Sequence, residues 1–140
     1  MSDSTTIHGH CLCKAVSVSA TPATLHAGAC HCGTCRAWGG GPLLSFDAGT
    51  TARFEGKEHI AAYDSSAWAE RGFCKSCGTH LFYRVKETGQ CYVPTGLFPD
   101  ARFVFDHQIY IDKKPDWYAF AGEMKTMTEA EVMQMYAPPA

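Results

Sequence analysis

Arg71-Gly72-Phe73-Cys74-Lys75-Ser76-Cys77-Gly78-Thr79 sets two cysteines three positions apart with a glycine directly behind them. This is the pattern of a zinc knuckle, in which glycine permits the tight backbone turn after the second thiolate. A knuckle supplies two of the four ligands that a structural zinc ion takes, so a second pair must come from elsewhere. Cys11-Leu12-Cys13 offers one, because residues two apart on an extended strand project from the same face. Joining the pairs would tie the N-terminal strand to the middle of the chain. Apparent zinc free energies of roughly 10–16 kcal/mol in small zinc-binding peptides show how much such a link can stabilise.

The remaining cysteines are Cys30, Cys32, Cys35 and Cys91, making eight in 140 residues. In a secreted chain that number would suggest four disulfides. The polar, acidic start Met1-Ser2-Asp3-Ser4-Thr5-Thr6 does not read as a signal peptide, and the close C-x-C and C-x2-C spacings cannot staple distant parts of a fold. Cys30-His31-Cys32-Gly33-Thr34-Cys35 offers three thiolates for a second zinc, leaving its fourth position open. Three thiolates leave the ion with net charge −1 and make it a poor activator of water. Such a site suits the binding of an incoming thiol as thiolate, and favours sulfur chemistry over hydrolysis. A fourth ligand from elsewhere would close it instead. Adjacent His31 would strain to share an ion with both flanking cysteines, and Cys91, in an apparent strand, reads as a small buried hydrophobe.

Around these clusters the chain reads as short strands between turns. Ala15–Ala20 and His80–Val85 alternate with period two, and Leu43–Phe46, Ile60–Tyr63, Tyr92-Val93 and Phe103–Phe105 are β-branched and aromatic. Gly39-Gly40-Gly41-Pro42, Asp47-Ala48-Gly49 and Glu87-Thr88-Gly89 separate them. One helix is expected over about 128–137, opened by a Thr128/Glu131 capping box and stopped by Pro138-Pro139, its Met and Tyr side chains packing on a sheet. Residues 1–6 form a polar tail and 7–140 a single domain. A net charge of −2 lacks the basic footprint of a nucleic-acid binder, and no apolar run approaches the ~18 residues of a membrane span. A cytoplasmic, mostly β protein is the expectation.

The order C-x-C, then Cys30-His31-Cys32 through Cys35-Arg36, then Tyr63-Asp64-Ser65-Ser66 and Arg71–Thr79 resembles the glutathione-dependent formaldehyde-activating enzyme family, whose domain is shared with centromere protein V. The match runs from Gly9 to about Tyr83, with weaker similarity towards Tyr118. The resemblance implies a β-tent of small antiparallel sheets pinned by zinc, with Cys11, Cys13, Cys74 and Cys77 on the structural ion and Cys30, Cys32 and Cys35 on an open or labile one. It also implies a carbon–sulfur lyase acting on an adduct of glutathione, or another small thiol, and an aldehyde, such as S-hydroxymethylglutathione. The centromeric branch uses a basic, proline-rich extension that this sequence lacks. The rival readings are a thiol carrier without catalysis and a structural zinc module that binds another protein. On oligomeric state the sequence is silent.

Several other residues invite a role. Arg36 and Arg71 could compensate the anionic clusters, and either could clamp a substrate carboxylate. Ser65 and Ser66 could bond substrate or make a turn, Trp38 could wall a pocket, and His80 could shuttle a proton or serve structure alone.

Overall fold

The computed structural model describes residues 5–136, which form eleven β-strands and two α-helices. The fold is mostly β. They gather into two compact units, one of residues 5–26 and 45–104, the other of 27–44 and 105–136. No helix among the described residues is long and apolar enough to cross a membrane.

In the first unit, β1 (Ile7–His10) pairs antiparallel with β2 (Ser17–Ala20), and β2 with β5 (Arg53–Glu55). The sequence alternation decides which face turns inward: Val18 and Ala20 are buried while Ser17 and Ser19 are half-buried. β6 (Ile60–Asp64), β7 (Ala69–Cys74), β8 (His80–Val85) and β9 (Cys91–Pro94) are consecutive antiparallel neighbours, with most of β4 (Leu43–Gly49) beside β9. Phe46, Phe98, Leu81, Val16 and Val93 are fully buried in the core. The Phe46 ring meets Phe98 edge-on at 5.3 Å and Phe103 at 5.0 Å. Burying side chains of this size stabilises by about 1.5–3 kcal/mol each.

The second unit contains most of β3 (His26–Cys30), then α1 (Gly33–Gly39), β10 (Val104–Ile109), β11 (Lys125–Met127) and α2 (Glu129–Tyr136). β10 and β11 run parallel, with His107 opposite Lys125 and Ile109 opposite Met127. That pair departs from the expected antiparallel sheets. Parallel neighbours need a long crossover, here residues 110–124. Gly28 lets β3 and β10 approach: a Cβ there would run into the His107 ring.

The capping box at α2 is formed as read. Thr128 N donates to Glu131 Oε1 at 2.9 Å, and Glu131 N donates to Thr128 Oγ1 at 3.2 Å. The expected packing of its methionines is corrected, however: Met133 and Met135 are exposed, and Val132 alone among residues 129–135 is buried. A helix this short buries a narrow stripe, and its methionines fall off that stripe. The Pro138-Pro139 stop and the first four residues of the polar tail lie outside the described residues.

Candidate metal centres and the adjoining cleft

Cys11, Cys13, Cys74 and Cys77 bring their sulfurs within 4.8 Å of one another in the first unit. Cys74 ends β7 and Cys77 lies in the turn to β8, where Gly78 N donates to the Cys74 carbonyl at 2.8 Å. Gly78 has φ +78°, the left-handed conformation its place behind the knuckle calls for. Cys11 and Cys13 share no strand, contrary to the sequence reading. They sit in a turn after β1, closed by Lys14 at φ 67° and by Lys14 N donating to the Cys11 carbonyl at 3.1 Å. The turn does the work assigned to a strand face.

Sulfur separations of 3.7 Å for Cys11–Cys13 and 3.8 Å for Cys13–Cys74 match the edge, about 3.8 Å, of a tetrahedron with ~2.3 Å zinc–sulfur bonds. The donor set thus fits zinc. Protein dipoles favour some of the thiolates it requires. Bonds from the Thr79 hydroxyl and backbone hold Cys77 down to about 5. Cys11 is lowered despite burial, with a hydrogen bond from Val16 N at 3.3 Å opposing the desolvation. Cys13 feels a favourable bond from Ala15, yet burial and the sulfurs of Cys77, Cys11 and Cys74 push it up to about 11. A shared cation would remove that conflict.

In the second unit, Cys30, Cys32 and Cys35 also bring their sulfurs within 4.8 Å. Cys30 ends β3, Cys32 caps α1, and Cys35 lies in the helix, 4% exposed. Sequence reading missed this helix between the glycines. Its N-cap is a sulfur: Cys35 N donates to Cys32 Sγ at 3.3 Å. At the other end Gly40, with φ 85°, donates its N–H to the Arg36 carbonyl at 2.8 Å. Crowding by Cys32 and Cys35, with burial, raises the Cys30 thiol far above its ordinary value. Three such sulfurs ionise together only beside a cation, so this set also suits a soft divalent metal. Among the described residues, no fourth cysteine, histidine or carboxylate joins the group.

His31, between two of these cysteines, is fully buried with both ring nitrogens engaged. Its Nε2 lies 2.8 Å from Gln108 Oε1, which can only accept, so Nε2 carries the hydrogen. In the neutral ring Nδ1 then accepts, and Tyr118 donates its hydroxyl hydrogen to it at 2.7 Å. Burial raises the Tyr118 hydroxyl, the Arg36 charge opposes the shift, and Cys30 adds to it. Arg36 Nε donates to the His31 carbonyl at 2.9 Å. Gly33, Arg36, Ala37, Gly40, Trp117 and Tyr118 line a cleft of about 280 Å³. No motif marked Trp117, Tyr118 or Gln108; the aromatic run Trp117-Tyr118-Ala119-Phe120 was the available signal.

The other singled-out residues divide. Arg71 is 4% exposed, with its guanidinium 4.9 Å from the Tyr83 ring centroid. His80 is lowered by burial and by the Arg71 charge. Ser66 makes a turn, its N–H donating to the Ala69 carbonyl at 3.3 Å. Trp38 lies on α1 but does not line the cleft. Cys91 is 5% exposed in the core of the first unit, its thiol raised by burial.

Comparison with known proteins adds a lineage. Residues 6–113 match the family model described as glutathione-dependent formaldehyde-activating enzyme. The chain is 38% identical over 128 residues to an uncharacterized lyase of Schizosaccharomyces pombe, covering 90% of this chain and 93% of the relative. It is 33% identical over 89 residues to a Podospora anserina protein named "Putative glutathione-dependent formaldehyde-activating enzyme", covering 59% of this chain and 41% of that one. A Rhodobacter sphaeroides protein of known crystal structure superposes with a TM-score of 0.58 at 22% identity, over 69% of this chain and 91% of the other, which speaks to the fold alone.

Proposed function

We propose, from the premise that the chain belongs to the glutathione-dependent formaldehyde-activating enzyme family, that it is a zinc-dependent carbon–sulfur lyase acting on the adduct of a small thiol and an aldehyde. Glutathione and formaldehyde, joined as S-hydroxymethylglutathione, are the substrates the family name supports. One observation carries the reading: Cys30, Cys32 and Cys35 converge with no fourth ligand among the described residues, and Tyr118, which feels the charges of Cys30 and Arg36, lines a cleft together with Arg36.

Cys11, Cys13, Cys74 and Cys77 would hold the structural ion and Cys30, Cys32 and Cys35 the other. Zinc at the second set would supply electrostatic stabilisation of a ligand thiolate, keeping a strong nucleophile at neutral pH. In the addition direction the sulfur lone pair forms the carbon–sulfur bond, the carbonyl π pair moves to oxygen, and that oxygen takes a proton from solvent. Breakdown of the adduct reverses each transfer. Tyr118, its hydrogen committed to His31, can meet the adduct's hydroxyl only as an acceptor. Buried His31 and Gln108 fix that orientation.

The test is the rate of S-hydroxymethylglutathione formation and breakdown with zinc-loaded protein, set against the uncatalysed rate at the same thiol concentration. The reading expects acceleration that disappears in Cys32→Ser. A wild-type rate equal to background, with thiol still bound, leaves a carrier and removes the lyase.

A further inference from the structure

The guanidinium of Arg36 has one edge committed and one to spare. Its Nε is engaged with the His31 carbonyl, and among the described residues neither Nη group makes a hydrogen bond or ion pair. Holding Nε fixes the plane of the fork, leaving Nη1 and Nη2 as parallel donors in the geometry that suits a carboxylate. The Nη2 end lies over Gly33, whose missing side chain leaves the approach open: a Cβ there would touch nothing else within 4 Å. No acidic residue occupies the first turn of α1. Across the cleft, Tyr118 carries a second cation, Lys114, whose Nζ sits 5.2 Å from the ring centroid while donating to the Pro115 and Tyr118 carbonyls. Asp112 and Asp116, each two residues from Lys114, are both exposed. Trp117, 75% exposed, puts a large apolar face on the same cleft.

We propose that this cleft selects the thiol by its carboxylate, Arg36 gripping the carboxylate end-on through Nη1 and Nη2 while Trp117 covers the chain between carboxylate and sulfur. The inference rests on the proposed thiol site at Cys30, Cys32 and Cys35 and adds to it the residue that reads the thiol's carboxylate. Arg36 is a specificity-determining residue here and takes no part in the bond that forms.

Calorimetric binding to the zinc-loaded protein tests it without relying on turnover, using glutathione, glutathione diethyl ester and 2-mercaptoethanol as probes. Wild type should prefer glutathione to its diester by about tenfold or more, the worth of one charge-assisted pair. In Arg36→Gln that preference should collapse, with 2-mercaptoethanol affinity and zinc content unchanged. Arg36→Lys, which keeps the charge and loses the fork, should retain part of the preference. Equal binding of acid and ester by wild type, or a preference that survives in Arg36→Gln, overturns the inference and leaves the thiol site standing. An Arg36→Gln loss shared equally by 2-mercaptoethanol would mean that the residue merely balances the cluster's charge, and overturns it too. If none of the three thiols binds, the underlying thiol site falls with it.

Discussion

Replacing Tyr118 by Phe removes one hydroxyl and keeps the ring. The ring contacts with His31 at 5.5 Å and Trp117 at 4.8 Å therefore persist, and the change isolates the bond to His31 Nδ1. That acceptor belongs to a fully buried imidazole whose other nitrogen is held by Gln108, so the ring cannot turn to find a new donor without breaking a second bond. Leaving a buried acceptor unpaired costs about 1–3 kcal/mol. For 140 residues, an unfolding entropy of about 2.1 cal/mol/K per residue gives roughly 0.3 kcal/mol/K, so Tm should fall by about 3–10 °C. Urea unfolding at fixed free zinc measures the same loss as a lower midpoint with unchanged slope. Trp117→Phe serves as the control: its ring is exposed, and the change should stay within about 0.5 kcal/mol. A Tyr118→Phe loss no larger than that of the control would refute donation to a buried, tautomer-fixed histidine.

Three further outcomes are expected. Cys74→Ser should lose one equivalent of zinc, measured by elemental analysis, and unfold at lower temperature than wild type; full zinc retention would break the four-sulfur assignment. Gly28→Ala should destabilise by about 1–3 kcal/mol because its Cβ meets the His107 ring, and Gly28→Ala with His107→Ala should recover much of that loss. His80 gives a pH signature. Burial and the Arg71 charge set its folded value below the ordinary 6.5, so the unfolded chain binds the proton more readily. Its contribution is whole above 6.5 and is lost as pH falls through the lowered folded value. His80→Gln should therefore gain on wild type in urea midpoint between about pH 7.5 and about pH 5.5. A constant offset between the two proteins would contradict the shift.

The grouping of the cysteines into a set of four and a set of three was legible in the sequence, because close spacing survives without coordinates. C-x2-C-G encoded the knuckle, and the capping box announced α2. β2, β6 and β8 were legible because alternation and β-branched residues mark a half-buried sheet face. What could not be read depends on tertiary partners. α1 is too short to show periodicity and takes its N-cap from a sulfur, a role for which cysteine carries no sequence signal. Cys11 and Cys13 converge through a left-handed lysine that local composition does not announce. His31 stands between two of the clustered cysteines in sequence, yet its ring is satisfied by Gln108 and Tyr118, 77 and 87 positions away. Only the folded chain shows that the cleft beside the cysteines has aromatic and cationic walls.

Cys30, Cys32 and Cys35 are proposed to hold a metal with a place left for a thiol. Zinc stoichiometry by elemental analysis, with glutathione titration of wild type and Cys32→Ser, tests it most directly. Two ions in wild type, one lost in the variant together with saturable glutathione binding, is the expected result. Two tightly held ions in wild type with no glutathione binding in either protein would contradict it, and would leave a zinc-pinned module without thiol chemistry.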